Sequence, residues 1–188
     1  MTTDALFGGR SFAAFLFDMD GTLLTSIEAA ERVWSDWARR QGLDVEAFLP
    51  TLHGKRAIDT VRQLGLPGID VEAEAEAILQ AEIDDVDGVR EIGGAAGFLS
   101  ALPPDRWAVV TSAPRLLALR RLEAAGLTPP AVFVTADDVT IGKPEPDCYL
   151  LAASRLGVAA SDCLVFEDAP AGIEAGERAG ASVLVIQA

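Results

Sequence analysis

Two rhythms of apolar residues run along this chain. The first is the short continuous run that a strand shows when both its faces are buried. Such runs occupy 12–17, 107–110, 132–134, 163–166 and 182–186. The second recurs every three or four residues, as on the buried side of a helix. It covers 26–41, through Ala29, Ala30, Val33, Trp34, Trp37 and Ala38, and 71–83, where Ala75, Ile78, Leu79 and Glu82 fall near the helix faces. Residues 44–49 suit a short helical stretch, and 53–56 open another with Ala57, Ile58, Val61 and Leu64 on one face. Further helices are expected over 94–102, 115–125, 147–156 and 171–179. Gly42, Pro67 with Gly68, Pro103 with Pro104, Gly126 and Gly157 punctuate them, and Pro114 suits the start of the helix at 115.

No stretch from Leu24 to about Asp87 reads as a strand. These roughly 60 residues exceed a usual loop and are expected as an all-helical insert. Beyond them strands alternate with helices. That order predicts an α/β fold with a doubly wound parallel sheet, a Rossmann-like core, formed by 1–23 and 88–188, with a helical cap at 24–87.

Half of the residues are hydrophobic, enough for a substantial core. No run of 18 apolar residues is present, so no membrane span is expected. The opening MTTDALFGGR lacks a basic start before an apolar core, so no signal peptide is expected either. Cys148 and Cys163 make no disulfide framework and are expected as core thiols of a cytoplasmic protein. A net charge of −14 argues against nucleic acid or an anionic membrane as partner. It also requires a locally positive site if the ligand is a phosphate, which points to a metal and a lysine.

Candidate chemistry gathers where the strands end. Asp18 and Asp20 follow the first run, two residues apart, and Gly21 permits a sharp turn. Paired carboxylates repel, and a divalent cation with its preference for oxygen ligands would offset that; capping a helix is the structural alternative. Thr111 and Ser112 follow the second long run and could cap the next helix. Lys143 lies in a loop and could be exposed. Glu167 and Asp168 follow the fourth and could favour a helix N-terminus. In doubly wound sheets ligands bind beyond the carboxyl ends of the strands, so these groups converge if the strand order allows it.

Four segments carry a family resemblance: DMDGT (18–22), VVTSA (109–113), GKPEPD (142–147) and VFEDAPAGIEAG (165–176). In this order they resemble the haloacid-dehalogenase-like phosphohydrolases with a helical cap between the first two motifs. Within that group, AERVWSDWARRQGL (30–43) and HGKRAID (53–59) are similar to small sugar-phosphate phosphatases, and more loosely to glycerol-phosphate phosphatases. The resemblance implies a Mg²⁺-dependent phosphatase of sugar or polyol phosphates, and a monomer is expected. Asp18 would be the nucleophile that becomes an aspartyl-phosphate, and Asp20 the general acid and then base. Mg²⁺ would be held by Asp18, the Asp20 backbone carbonyl and Asp168, with Glu167 acting through water. Thr111, the Ser112 N–H and Lys143 would bind phosphoryl oxygens. In the cap, His53, Gly54 and Lys55 are expected to contact substrate, with Lys55 or Arg56 on sugar hydroxyls, while Trp34 and Trp37 are expected as core. Thr25 and the Gly93–Gly94 pair depart from the family pattern, and relatives usually continue past Ala188 with a strand and a helix, which would leave one sheet edge here less covered. A sugar phosphomutase on the same scaffold is the alternative, and a non-catalytic binding protein a remote one.

Overall fold

The computed structural model describes residues 9–187. Most of the opening segment, and Ala188, lie outside that range. Strand β1 (Ala14–Phe17) is the centre of the sheet, shorter than the apolar run that announces it. After β1 come a two-residue strand, β2 (Leu24–Thr25), then α1 (Ile27–Arg40), α2 (Val45–Phe48), α3 (Ala57–Leu64) and α4 (Val71–Asp84). A second two-residue strand, β3 (Arg90–Glu91), leads into α5 (Ala95–Ser100), β4 (Trp107–Val110) and α6 (Arg115–Ala124). The chain continues with β5 (Val132–Val134), α7 (Asp147–Arg155), β6 (Cys163–Glu167), α8 (Pro170–Arg178) and β7 (Ser182–Val185).

The main sheet among the described residues has the order β5-β4-β1-β6-β7, and every pairing in it is parallel. The chain lays down β1, β4 and β5 in one direction and then returns to place β6 on the other side of β1. That reversal opens a crevice beyond the carboxyl ends of β1 and β6.

Alternation along the strands sends side chains to two cores. Phe17, Val109 and Phe133 face Leu117 and Leu122 of α6 and Leu99 of α5. Leu16, Val110 and Val165 face Cys148, Tyr149 and Ala152 of α7 and Ala175 of α8. The Phe17 and Phe166 rings stack at 4.5 Å on the first side. A third cluster, with Trp34, Trp37, Phe48, Leu52, Val61 and Ile78, belongs to α1–α4 and the turns between them. The helical segment therefore buries its own apolar faces. Asp44 caps α2, accepting from the Glu46 and Ala47 N–H groups, and Asp70 caps α4, accepting from the Ala73 N–H.

Two expectations about the elements are corrected. The segment from Leu24 is not free of strand: Leu24 pairs antiparallel with Glu91, and Thr25 with Arg90. Two residues carry no readable period, and only the return of the chain at Arg90 supplies their partner. The pair ties the two crossings between helical insert and sheet into a ribbon. Glu167 is also the last residue of β6 rather than the start of a loop.

Candidate active site

β1 ends at Phe17, and the next residue, Asp18, lies at the floor of the crevice. Its backbone N–H donates to the Phe166 carbonyl at 2.9 Å, so the chain leaves β1 in register with β6. Gly21 turns it with φ +90°, and a Cβ there would stand 2.0 Å from Asp168 Oδ2. A side chain at 21 would therefore displace Asp168. Neither aspartate caps a helix. Asp20 Oδ1 instead accepts from Ser26 Oγ at 2.6 Å and from Arg121 Nη1 at 3.0 Å.

Lys143 is not an exposed loop lysine. Its Nζ donates to Asp18 Oδ1 at 2.6 Å, to Glu167 Oε1 at 2.7 Å and to the Val110 carbonyl at 3.2 Å. Burial pushes the Lys143 pKa down, but Asp18 and Glu167 beside it push harder, and it lies well above the ordinary lysine value. Asp18 is raised well above the usual carboxylate range by burial, then by Glu167, with Lys143 opposing the rise. Glu167 spends its oxygens on four direct donors. Oε1 takes Lys143 and the Tyr149 hydroxyl, and Oε2 takes the backbone N–H groups of Asp168 and Ala169. Gly172 makes room for it: a Cβ at 172 would sit 1.5 Å from Glu167 Oε1.

Asp168 has the opposite character. Its Oδ1 is buried without a hydrogen-bond partner. Burial, then the charge of Glu167, lift its pKa to about 6. One oxygen from each of Asp18, Glu167 and Asp168 lies within 4.8 Å of the others. An orphaned carboxylate oxygen in a crowd of acids fits a hard divalent cation. The Asp20 carboxylate stands outside this cluster, held by Ser26 and Arg121.

The remaining expected residues divide into two groups. Thr111 is buried, and its Oγ1 accepts from the Ala113 N–H, so it shapes the turn after β4; α6 has no side-chain cap. Ser112 Oγ donates to the Gly54 carbonyl at 2.9 Å, which seats the 53–55 loop over the crevice. Gly54 has φ +78°, and a Cβ there would meet Ala169 Cβ at 2.8 Å. His53, Gly54 and Lys55 all line the crevice. Arg56 does not. Its guanidinium is taken by Asp59 and by the carbonyls of Val139 and Thr140, so it clasps the insert to the loop before Lys143. Trp34 and Trp37 pack edge to face in the insert's core, and Trp34 also reaches the crevice wall.

Three groups of the site carry no motif: Tyr149, Arg121 and Glu82. Arg121 bridges Asp20 to Glu82 Oε1, 3.0 Å away. A partial signal exists for two of them. Glu82 follows Ala75, Ile78 and Leu79 at helical spacing, so a carboxylate occupies an apolar face. Arg121 follows Leu117 by one helical turn. A charge on a buried stripe demands a partner, but the partner's identity has no local signature.

The fold and the site define a doubly wound α/β protein with a carboxylate-lined crevice under a helical layer. The chain belongs to the haloacid dehalogenase-like hydrolases, whose family model matches residues 12–180. It is 46% identical over 178 residues to hexitol phosphatase A of Escherichia coli, covering 93% of this chain and 82% of that protein. It is 37% identical over 186 residues to glycerol-1-phosphate phosphohydrolase 2 of Saccharomyces cerevisiae, covering 92% and 74%. Among solved structures, a hydrolase from Pseudomonas syringae superposes with a TM-score of 0.82 at 27% identity, covering 93% and 83%.

Proposed function

We propose that this chain is a Mg²⁺-dependent phosphoric monoester hydrolase of small phosphorylated sugars or polyols, working through an aspartyl-phosphate on Asp18. The observation that carries the reading is the Asp18–Lys143 contact at the floor of the crevice, with Asp20 two residues away. Lys143 favours the ionised Asp18 against burial, which a carboxylate nucleophile needs. An Asp18 oxygen attacks phosphorus as the ester P–O bond breaks, and the leaving oxygen takes a proton from Asp20. Water then attacks the acyl-phosphate with Asp20 accepting its proton, which frees phosphate and regenerates Asp18. Thr111 and the Ser112 N–H would bind the phosphoryl oxygens, and Lys143 would turn one donor toward them from the Val110 carbonyl, its longest contact at 3.2 Å. The side chains of Asp18 and Asp168 and the Asp20 carbonyl would hold Mg²⁺. When bound, the ion neutralises charge between two anions that must meet.

Residues 24–87 form the cap that closes the crevice, and the 53–55 loop faces the sugar. The kinship with a hexitol phosphatase and a glycerol-1-phosphate phosphohydrolase supports a polyol or sugar ester over other phosphates, and hydrolysis over phosphoryl return to a second hydroxyl. The two buried free thiols and the net charge of −14 suit a cytoplasmic monomer with neither nucleic acid nor membrane as partner. A panel of phosphate esters, with and without Mg²⁺, tests the reading. Phosphate release from hexitol or glycerol phosphates is expected, and Asp18→Asn should lower it by at least about a thousandfold. Unchanged turnover in Asp18→Asn, or isomerised sugar phosphate without free phosphate, would overturn it.

A further inference from the structure

Arg121 lies on α6 with its side chain 8% exposed, and both ends of its guanidinium are engaged. Nη1 donates to Asp20 Oδ1 and Nη2 to Glu82 Oε1, each at 3.0 Å. Glu82 is on α4, in the helical insert, with its side chain 9% exposed. The chain thus places one buried cation between a carboxylate of the insert and the carboxylate two residues after Asp18. All three line the same crevice. Arg121 forms no part of the Asp18–Lys143–Glu167 network.

We infer that Arg121 is a positioning residue for Asp20, and that Glu82 holds Arg121 in place from the insert. The inference rests on the reading of Asp20 as general acid. Two donors, Ser26 Oγ and Arg121 Nη1, converge on Asp20 Oδ1. Two fixed donors on one oxygen set the carboxyl's rotamer and direct the proton to the other oxygen, Oδ2. In the first step the Oδ2–H bond breaks, the proton goes to the ester oxygen, and the P–O bonding pair becomes a lone pair on that oxygen. The carboxylate left on Asp20 is then stabilised by Arg121. Glu82 offsets the guanidinium charge, so Arg121 orients Asp20 without the full pull of an unpaired cation. Because Glu82 comes from α4, Arg121 is held from both sides only when the insert is seated on the core. Arg121 and Asp20 are 101 residues apart, and Arg121 and Glu82 are 39 apart. Only a seated insert brings the three together.

The leaving group gives the test. An alkoxide needs protonation as it departs; a dinitrophenolate does not. In Mg²⁺, kcat/KM, which ends at release of the first product and so leaves out the later step in which Asp20 acts as base, is measured on glycerol phosphate and on 2,4-dinitrophenyl phosphate for wild type, Asp20→Asn, Arg121→Lys, Glu82→Gln and the double variant Arg121→Met with Glu82→Gln. The double variant leaves no unpaired charge between α4 and α6, which protects its fold; thermal melts check this for each protein. Asp20→Asn should lose about 10²–10⁴-fold on glycerol phosphate and far less on the aryl ester. The double variant should lose about 10²-fold in kcat/KM on glycerol phosphate and less than about threefold in kcat/KM on the aryl ester. Glu82→Gln should show the same split at a smaller size, and Arg121→Lys should recover part of the loss. Equal losses on both esters in the Arg121 and Glu82 variants, with the split intact in Asp20→Asn, would overturn the inference alone. No split in Asp20→Asn would overturn the general-acid reading and the inference with it.

Discussion

A lysine ammonium has three protons to donate, and Lys143 places all three on acceptors: Asp18, Glu167 and the Val110 carbonyl. It is fixed by its own contacts as well as fixing others. Asp168 is the residue left over, with an unpartnered oxygen beside like charges. Its pKa rises from 3.8 to about 6, so the folded protein binds this proton more tightly than the unfolded chain does. The stability this gives is fully present below about pH 4 and is lost as pH rises through about 6. Asparagine at 168 cannot ionise and escapes that loss. In EDTA, wild type should therefore fall in Tm relative to Asp168→Asn between pH 4 and pH 7 or so, with the gap closing again at about pH 4. Added Mg²⁺ should raise wild type at neutral pH and leave Asp168→Asn nearly unmoved. Melting curves across pH measure both effects, and parallel profiles for the two proteins would refute the account.

Elements carry the site because each strand ends where its chemistry begins. β1, β4 and β6 stop within a residue or two of Asp18, Thr111 and Asp168. The helical insert needs its own core to keep Glu82 and the 53–55 loop over those ends. Trp37 is wholly buried at its centre, beside Trp34 and Phe48, and its indole N–H donates to Glu74 at 2.7 Å. Trp37→Ala should cost about 3–5 kcal/mol in urea unfolding through the cavity it leaves. Trp37→Phe keeps most of the packing, loses the hydrogen bond and should cost about 1 kcal/mol. Equal costs for the two would place the value of Trp37 in its hydrogen bond rather than its bulk. The β2–β3 ribbon shows where periodicity stops being informative: two residues on each side, paired only because both crossings leave the sheet at one place.

Over the whole molecule, 29 acidic residues face 15 basic ones. Lys143 and Arg121, buried at the crevice, are each surrounded by carboxylates. A phosphate ester therefore approaches through a repulsive outer field and binds in a locally compensated site. Salt shortens the reach of that field from about 30 Å at 0.01 M to about 8 Å at 0.15 M. At saturating Mg²⁺, kcat/KM for a dianionic ester should rise a few-fold across that range through KM, with kcat unchanged. A fall in kcat/KM with salt would show that attraction rather than repulsion governs the approach.

The buried strands, the helices around them and the four motifs were all written in local order. An apolar run, a helical period or DMDGT is a property of neighbours, and neighbours are what a sequence displays. Trp34 and Trp37 were legible as core for the same reason. The strand order was not, nor the 125-residue reach from Lys143 to Asp18. The sequence singled out Lys143 but left its exposure open. It offered Arg56 as a substrate contact, which the fold spends on Asp59 and two carbonyls. It gave Arg121 no role at all. What the tertiary structure decided is which charge meets which. A buried ion accepts only the partner that packing delivers, and that delivery depends on strand order and on how the helical insert is seated, neither of which has a period.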